Sequence, residues 1–256
     1  MRVKLVVAYD GTDFCGWAPQ PGLRTVQGTL TEAVRRVSGE GIEILGASRT
    51  DSGAHAQGQV CHFDTEGGVP PQKWAGIINR LVPGDMAVRS SRRVSPQFHS
   101  RFSAEDRHYR YRIHTASRDP LKSRFVYDYG RPLDAPVMHE AAQSLLGEHD
   151  FLAYTEELDD SVENTHRTLV QCQVRQVRDE VWVDVVGTAF LRGMMRRIAG
   201  ALLEVGRGKR PVEEVSRLLT QEGQETLQWP VVLPAAGLCL MSVRYANPPR
   251  DHRTAS

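Results

Sequence analysis

The chain has no long apolar run. None of its 256 residues lies in a stretch approaching the roughly 20 apolar residues that cross a bilayer, and no signal-peptide core opens it. Cysteine is scarce: Cys15, Cys61, Cys172 and Cys239 stand apart, with no C-x-x-C pair and no histidine cluster at metal-ligand spacing. Four reduced thiols are expected, and no metal. Cofactor signatures are missing too: there is no G-x-G-x-x-G after a strand, no G-x-x-x-x-G-K-[ST], no H-E-x-x-H and no G-x-S-x-G. Nucleotide hydrolysis, hydride transfer and zinc hydrolysis lose their usual supports. What remains is a cytoplasmic protein, away from membranes, whose chemistry uses side chains alone and no cofactor.

Net charge is nearly absent as well, at +1, but its distribution is uneven. Residues 89–124 hold ten Arg and Lys against three Asp and Glu, and residues 192–210 hold six against one. The remainder is acidic, helped by Glu156, Glu157, Asp159, Asp160 and Glu163. A charge run taken alone is usually a solvated face. Two arginine-dominated blocks in a neutral protein point to a phosphate-rich partner, because the guanidinium fork matches phosphate oxygens and stacks on bases.

Periodicity supplies the architecture. Val3, Leu5, Val7 and Tyr9 alternate as a strand ending at Asp10-Gly11. Thr25 is placed to cap a helix with Val26, Leu30, Ala33, Val34 and Val37 on one face, stopped by Gly39 and Gly41. Ile42–Leu45 reads as a short strand, Gly46–Gly58 as a polar loop, and Val60–Asp64 as extended; Trp74, Ile77, Ile78 and Leu81 fall at helical spacing. From His108 to His114 the pattern alternates without fault, with Tyr109, Tyr111 and Ile113 on one side and His108, Arg110, Arg112 and His114 on the other. A helix with Val137, Ala141 and Leu145 follows, then strands over Thr168–Val177 and Val181–Val186. Leu191, Met194, Ile198, Leu202 and Val205 form an amphipathic helix closed by Gly206; Pro211 opens another, and Cys239–Tyr245 is a last strand. The expected class is α+β, a mixed and largely antiparallel central sheet with helices packed on it, in two similar lobes around a basic cleft. The lobes are expected over 1–104 and 105–246, with 247–256 a disordered tail.

The densest candidate for chemistry is Gly46-Ala47-Ser48-Arg49-Thr50-Asp51-Ser52-Gly53-Ala54-His55. Small residues surround one carboxylate, leaving room for a ligand, and Arg49 is positioned to hold it ionised or to reach a phosphate. An Asx-type turn, with Asp51 bonded to nearby amides, is the purely structural alternative. Asp51-Ser52-Gly53-Ala54 also spells the D-[ST]-G-A element of aspartic proteases, but that site needs two such elements and this chain has one.

The segment Gly46–Val60 resembles the G-A-G-R-T-D-A-G-V-H-A-x-G-Q-V block of the TruA-type tRNA pseudouridine synthases. Tyr9–Trp17 resembles their Y-D-G-T-x-F-x-G-W, Phe98–Ala104 their F-H-A-R-F-S-A, and Arg107–Ile113 their R-x-Y-x-Y-x-I. Ala189–Arg196 is similar to A-F-L-R-H-M-V-R, and Gly237–Leu240 to G-L-x-L. Six blocks in order over nearly the whole chain are far more specific than any one. Ser48 stands where the pattern has Gly, Ser52 where it has Ala, Ala54 where it has Val, Gly193 where it has His, and Ala18 where it has Gln.

The resemblance implies an isomerase that turns uridine into pseudouridine at positions 38, 39 and 40 of the tRNA anticodon arm, working as a homodimer. It implies Asp51 as nucleophile, Arg196 as its ion-pair partner, Tyr109 stacked on the uracil, Arg49 in the space left by the flipped nucleotide, and Leu238 lining the pocket. Arg101, Arg110, Arg192, Arg207, Lys209 and Arg210 are the expected phosphate contacts. The rival from another class is an RNA-binding protein without catalysis, which explains the arginine blocks but not a carboxylate among them.

Overall fold

A computed structural model describes residues 1–155 and 164–246. The acidic stretch from Glu156 to Glu163 and the tail from Asn247 lie outside the described residues.

The alternation at the start becomes β1 (Arg2–Tyr9), with Val3, Leu5, Val7 and Tyr9 all buried. Thr25 caps α1 (Val26–Ser38), its side chain accepting from the Gly28 amide at 3.3 Å; Gly39, at φ 72°, ends the helix by donating to the Arg35 carbonyl. The chain continues through β2 (Leu45–Gly46), β3 (His55–Asp64), α2 (Trp74–Ile78), β4 (Met86–Val94) and β5 (Ala104–His114). It then forms β6 (Tyr127–Asp128), α3 (Ala135–Gln143), β7 (Gly147–Asp150), β8 (His166–Val177) and β9 (Glu180–Gly187). Helices α4 (Met194–Gly206), α5 (Val212–Arg217) and α6 (Gln221–Thr226) precede β10 (Leu238–Tyr245).

Among the described residues the strands form one ten-stranded sheet, ordered β4-β1-β3-β10-β5-β9-β8-β7, with β2 on β3 and β6 on β5. The principal ladders are antiparallel except where β10 meets β3, with Cys239 beside His55 and Leu240 beside Ala56. On its other edge β10 runs antiparallel to β5, setting Leu238 opposite Tyr111 and Leu240 opposite Tyr109. This is the expected α+β class with a mixed, mostly antiparallel sheet. One contiguous apolar core runs from Val3, Leu5, Trp17 and Trp74 through Tyr111 and Val183 to Ile198 and Leu202.

Several boundaries differ from expectation. Ile42 and Ile44 are buried outside any strand, and β3 begins at His55 because the end of the polar loop is already paired. Helix α2 stops at Ile78, leaving Leu81 exposed. Helix α4 starts at Met194, after Gly193 at φ 70°, and the left-handed turn beyond it falls at Gly208. Strands β4 and β7 were not anticipated: both lie on sheet edges and are largely polar, so neither shows the alternation of a half-buried strand.

Candidate active site

The loop between β2 and β3 is fixed by alternate residues turning into the protein. Gly46 lets the Trp17 indole close over the backbone, since a Cβ there would meet ring atoms at 2.5–2.6 Å. The Ala47 amide donates to the Val60 carbonyl at 2.8 Å. The Ser48 carbonyl accepts from Gln59 Nε2 at 2.6 Å, and its hydroxyl lies 2.6 Å from the Tyr109 phenol. Thr50 bonds the Tyr9 phenol at 2.8 Å, while its carbonyl accepts from the Trp17 amide at 3.1 Å. Gly53, at φ 81°, donates to the Phe14 carbonyl and completes the turn.

Between these anchors Arg49 and Asp51 project outward. Arg49 is exposed and makes no ion pair or hydrogen bond among the described residues. Asp51 is half-buried, and Arg196 Nη1, from the first turn of α4, lies 3.3 Å from its Oδ2. Arg196 also donates Nε to the Leu233 carbonyl at 2.6 Å. Tyr109 is buried on β5, edge-on to Phe190 with ring centroids 4.9 Å apart. Burial pushes its phenol up to about 12, against the opposing hydrogen bond from Ser48. Leu238 is buried on β10 opposite Tyr111, two residues along the ladder from the Leu240–Tyr109 pair. A pocket of about 350 Å³ adjoins the loop, lined by Ser52 and Gly53 with Thr12, Ser123, Arg124, Ala235 and Ala236.

Asp51, Arg196 and Tyr109 therefore meet around one loop, and Arg49 stands beside them. The expected phosphate contacts do not all share that setting. Arg101 and Arg192 are exposed, as is Lys209. Arg207 is half-buried, 3.9 Å from Glu204. By helical rise the Arg207–Arg210 turn lies about 16 Å along α4 from Arg196. Two of the expected contacts have carboxylate partners within the protein. Arg110 sits on the side of β5 opposite Tyr109, bound to Asp184 at 2.8 Å and 4.0 Å from the Trp182 ring centroid. Although burial alone raises the Asp184 carboxyl, hydrogen bonds from His108 and Arg110 hold it below the usual range. Arg210 is buried, donating to Glu204 at 2.9 Å, Glu214 at 3.0 Å and the Gln228 carbonyl at 2.9 Å. Both guanidiniums hold carboxylates of the protein, and for Arg210, which is buried, such pairing is what a desolvated charge requires.

Other residues of the site carried no role in the sequence reading. Arg107, buried on β5, donates to the carbonyls of Ala47, Arg101 and Thr188, tying the Asp51 loop to two neighbouring segments. His55 accepts from the Gly11 amide at Nδ1 and bonds the Ala236 carbonyl through Nε2, holding the 235–237 turn to the loop. Arg107, His55, Gln59 and Phe190 all lie within the quoted motifs; for the first three, charge or polarity at a buried strand position was the signal available.

Known proteins match this chain over nearly its whole length. The family described as tRNA pseudouridine synthase matches residues 5–103 and 141–246, intervals that contain Asp51 and Arg196 and flank Tyr109. The tRNA pseudouridine synthase A of Maridesulfovibrio salexigens is 39% identical over 250 residues, 96% of this chain and 91% of the relative. Those of Brevibacillus brevis and Citrifermentans bemidjiense are 40% and 41% identical over 245 residues, covering 95% of this chain and 99% and 97% of theirs. Such agreement along the whole length defines an isomerase acting on RNA. The chain belongs to the tRNA pseudouridine synthase family.

Proposed function

We propose that this enzyme isomerises uridine to pseudouridine at positions 38, 39 and 40 of the tRNA anticodon arm, with Asp51 as the nucleophile. The observation that carries the reading is the Asp51 carboxylate aligned by Arg196 from a distant helix, beside a buried tyrosine. A carboxylate suits the chemistry, because it can attack carbon or stabilise an oxocarbenium-like centre. The N1–C1′ bond breaks, the uracil turns, and a C5–C1′ bond forms. C5 loses its proton and N1 gains one, so nothing is oxidised, reduced or hydrolysed.

In this reading Arg196 keeps Asp51 oriented through a charge-assisted hydrogen bond. Tyr109 stacks on the uracil, Leu238 lines the pocket, and Arg49 fills the space the flipped nucleotide leaves. Flipping costs a few kcal/mol. Phosphate contacts from Arg101, Arg192, Arg207 and Lys209 offset it. The enzyme acts in the cytoplasm as a homodimer, each tRNA touching both subunits, with lobes 1–104 and 105–246 flanking a basic cleft. Serving three adjacent positions requires recognition of shape and backbone more than of base identity.

The test is pseudouridine formation on tRNA transcripts by wild type and Asp51→Asn. Wild type should modify only positions 38–40. The variant should bind tRNA and form no product; turnover within about tenfold of wild type would remove Asp51 from its role. Modification elsewhere would overturn the assigned positions.

A further inference from the structure

Ser48 stands where the resembled pattern has glycine, and its backbone does not need its side chain. Fully buried Gln59 holds its carbonyl at 2.6 Å, and Ala47 before it is fixed through its amide to Val60 and through its carbonyl to Arg107 at 3.4 Å. Thr50 after it is pinned by Tyr9 and Trp17. The hydroxyl itself has one hydrogen-bond partner among the described residues, the Tyr109 phenol oxygen at 2.6 Å. The dependence is mutual, since the buried phenol has no other hydrogen-bond partner there. Phe190 supports the ring only edge-on, at 73° between planes, which restrains its position but leaves the polar end to Ser48.

We propose that Ser48 is a positioning residue for Tyr109: its hydroxyl fixes the phenol end of the ring, and so where the ring stands beside the target uracil. The inference rests on the role given to Tyr109 above. With glycine at this place the phenol would have to bond water or substrate. With serine the ring is ordered before RNA arrives, and pre-organisation of a group beside the reacting base acts on turnover more than on binding. The phenol also feels this bond electrically, since Ser48 opposes the upward push of burial.

The test is a double-mutant cycle on the full chain, using single-turnover pseudouridine formation and tRNA binding. Ser48→Ala and Ser48→Gly should each slow the reaction about three- to tenfold, the effect of one neutral hydrogen bond, with tRNA affinity unchanged. Tyr109→Phe breaks the same bond from the other side, so Ser48→Ala should slow a Tyr109→Phe enzyme little further. Ser48→Thr, which restores a hydroxyl, should recover most of the rate. Rates unaffected by Ser48→Ala, additive losses in the double mutant, losses confined to affinity, or no recovery with threonine would each overturn the inference. Asp51→Asn, which leaves the Ser48–Tyr109 bond in place, reports separately on the nucleophile.

Discussion

Arg196 reaches Asp51 across 145 positions of chain, its Nη1 3.3 Å from the carboxylate while its Nε is held by the Leu233 carbonyl at 2.6 Å. The guanidinium is clamped between a backbone acceptor and the carboxylate, so its planar fork fixes one orientation of Asp51. That geometry requires β3, α4 and the segment before β10 to be assembled together.

Replacing Arg196 should therefore damage turnover more than affinity. Arg196→Met is expected to lower kcat about a hundredfold, comparable to loss of one pre-organised electrostatic contact, with tRNA binding within about threefold. Arg196→Lys should recover only part, because an ammonium cannot reproduce the fork. Steady-state kinetics beside equilibrium binding decide this; equal losses in both would make Arg196 a phosphate contact.

Arg49 offers the opposite profile. It is exposed and holds no protein group among the described residues, so Arg49→Ala should leave urea stability within about 0.5 kcal/mol of wild type. Its kcat/KM should nevertheless fall by about tenfold or more, as a group that stabilises the flipped state is removed. An unchanged kcat/KM would place Arg49 outside the site.

Within the Arg207–Arg210 turn the two ends should behave differently. Arg210→Gln leaves Glu204 and Glu214 without their shared cation, and should cost about 2–4 kcal/mol in urea denaturation with no change in the salt dependence of tRNA binding. Arg207→Gln with Lys209→Gln should flatten the slope of log affinity against log salt by about one to two, with little effect on kcat. A flattened slope in Arg210→Gln, at intact stability, would restore it as a phosphate contact.

His62 links stability to pH. Burial pushes its imidazole from 6.5 to about 4, and neutral Nδ1 accepts from the Ser100 amide at 3.2 Å. The unfolded chain takes up a proton near 6.5 and the folded chain only near 4. The stability His62 protects is therefore present above 6.5 and lost as pH falls from 6.5 towards 4. His62→Asn should flatten this part of the stability profile, read by urea denaturation at pH 7, 5.5 and 4.5. An equally steep fall in the variant would assign the loss to other groups.

The parts of the fold legible in the sequence were those where burial differs between alternate positions. Strand β1 announced itself through the regular spacing of Val3, Leu5, Val7 and Tyr9, the Tyr109 strand because its apolar and polar residues alternate, and α1 because Thr25 and Gly39 mark both ends. Strand β4 did not, because only Met86, Val88 and Ser91 on it are buried and its arginines face solvent. The same limit applied at the site. Asp51, Arg196 and Tyr109 were nameable from motifs, but Arg110 and Arg210 looked like surface charge until their carboxylate partners, distant in sequence for Arg110, came into view. Local periodicity reports which side of an element is wet; it does not report which partner waits there.

The placement of β10 bears on how the enzyme is made. Strand β10 lies between β3, which follows the Asp51 loop, and β5, which carries Tyr109. During synthesis the stretches that β10 covers, His55 and Ala56 on β3 and 104–111 on β5, stay open until residues 238–245 have left the ribosome. A nascent chain thus holds the Asp51 loop for most of its translation with those stretches of β3 and β5 open to wrong pairing.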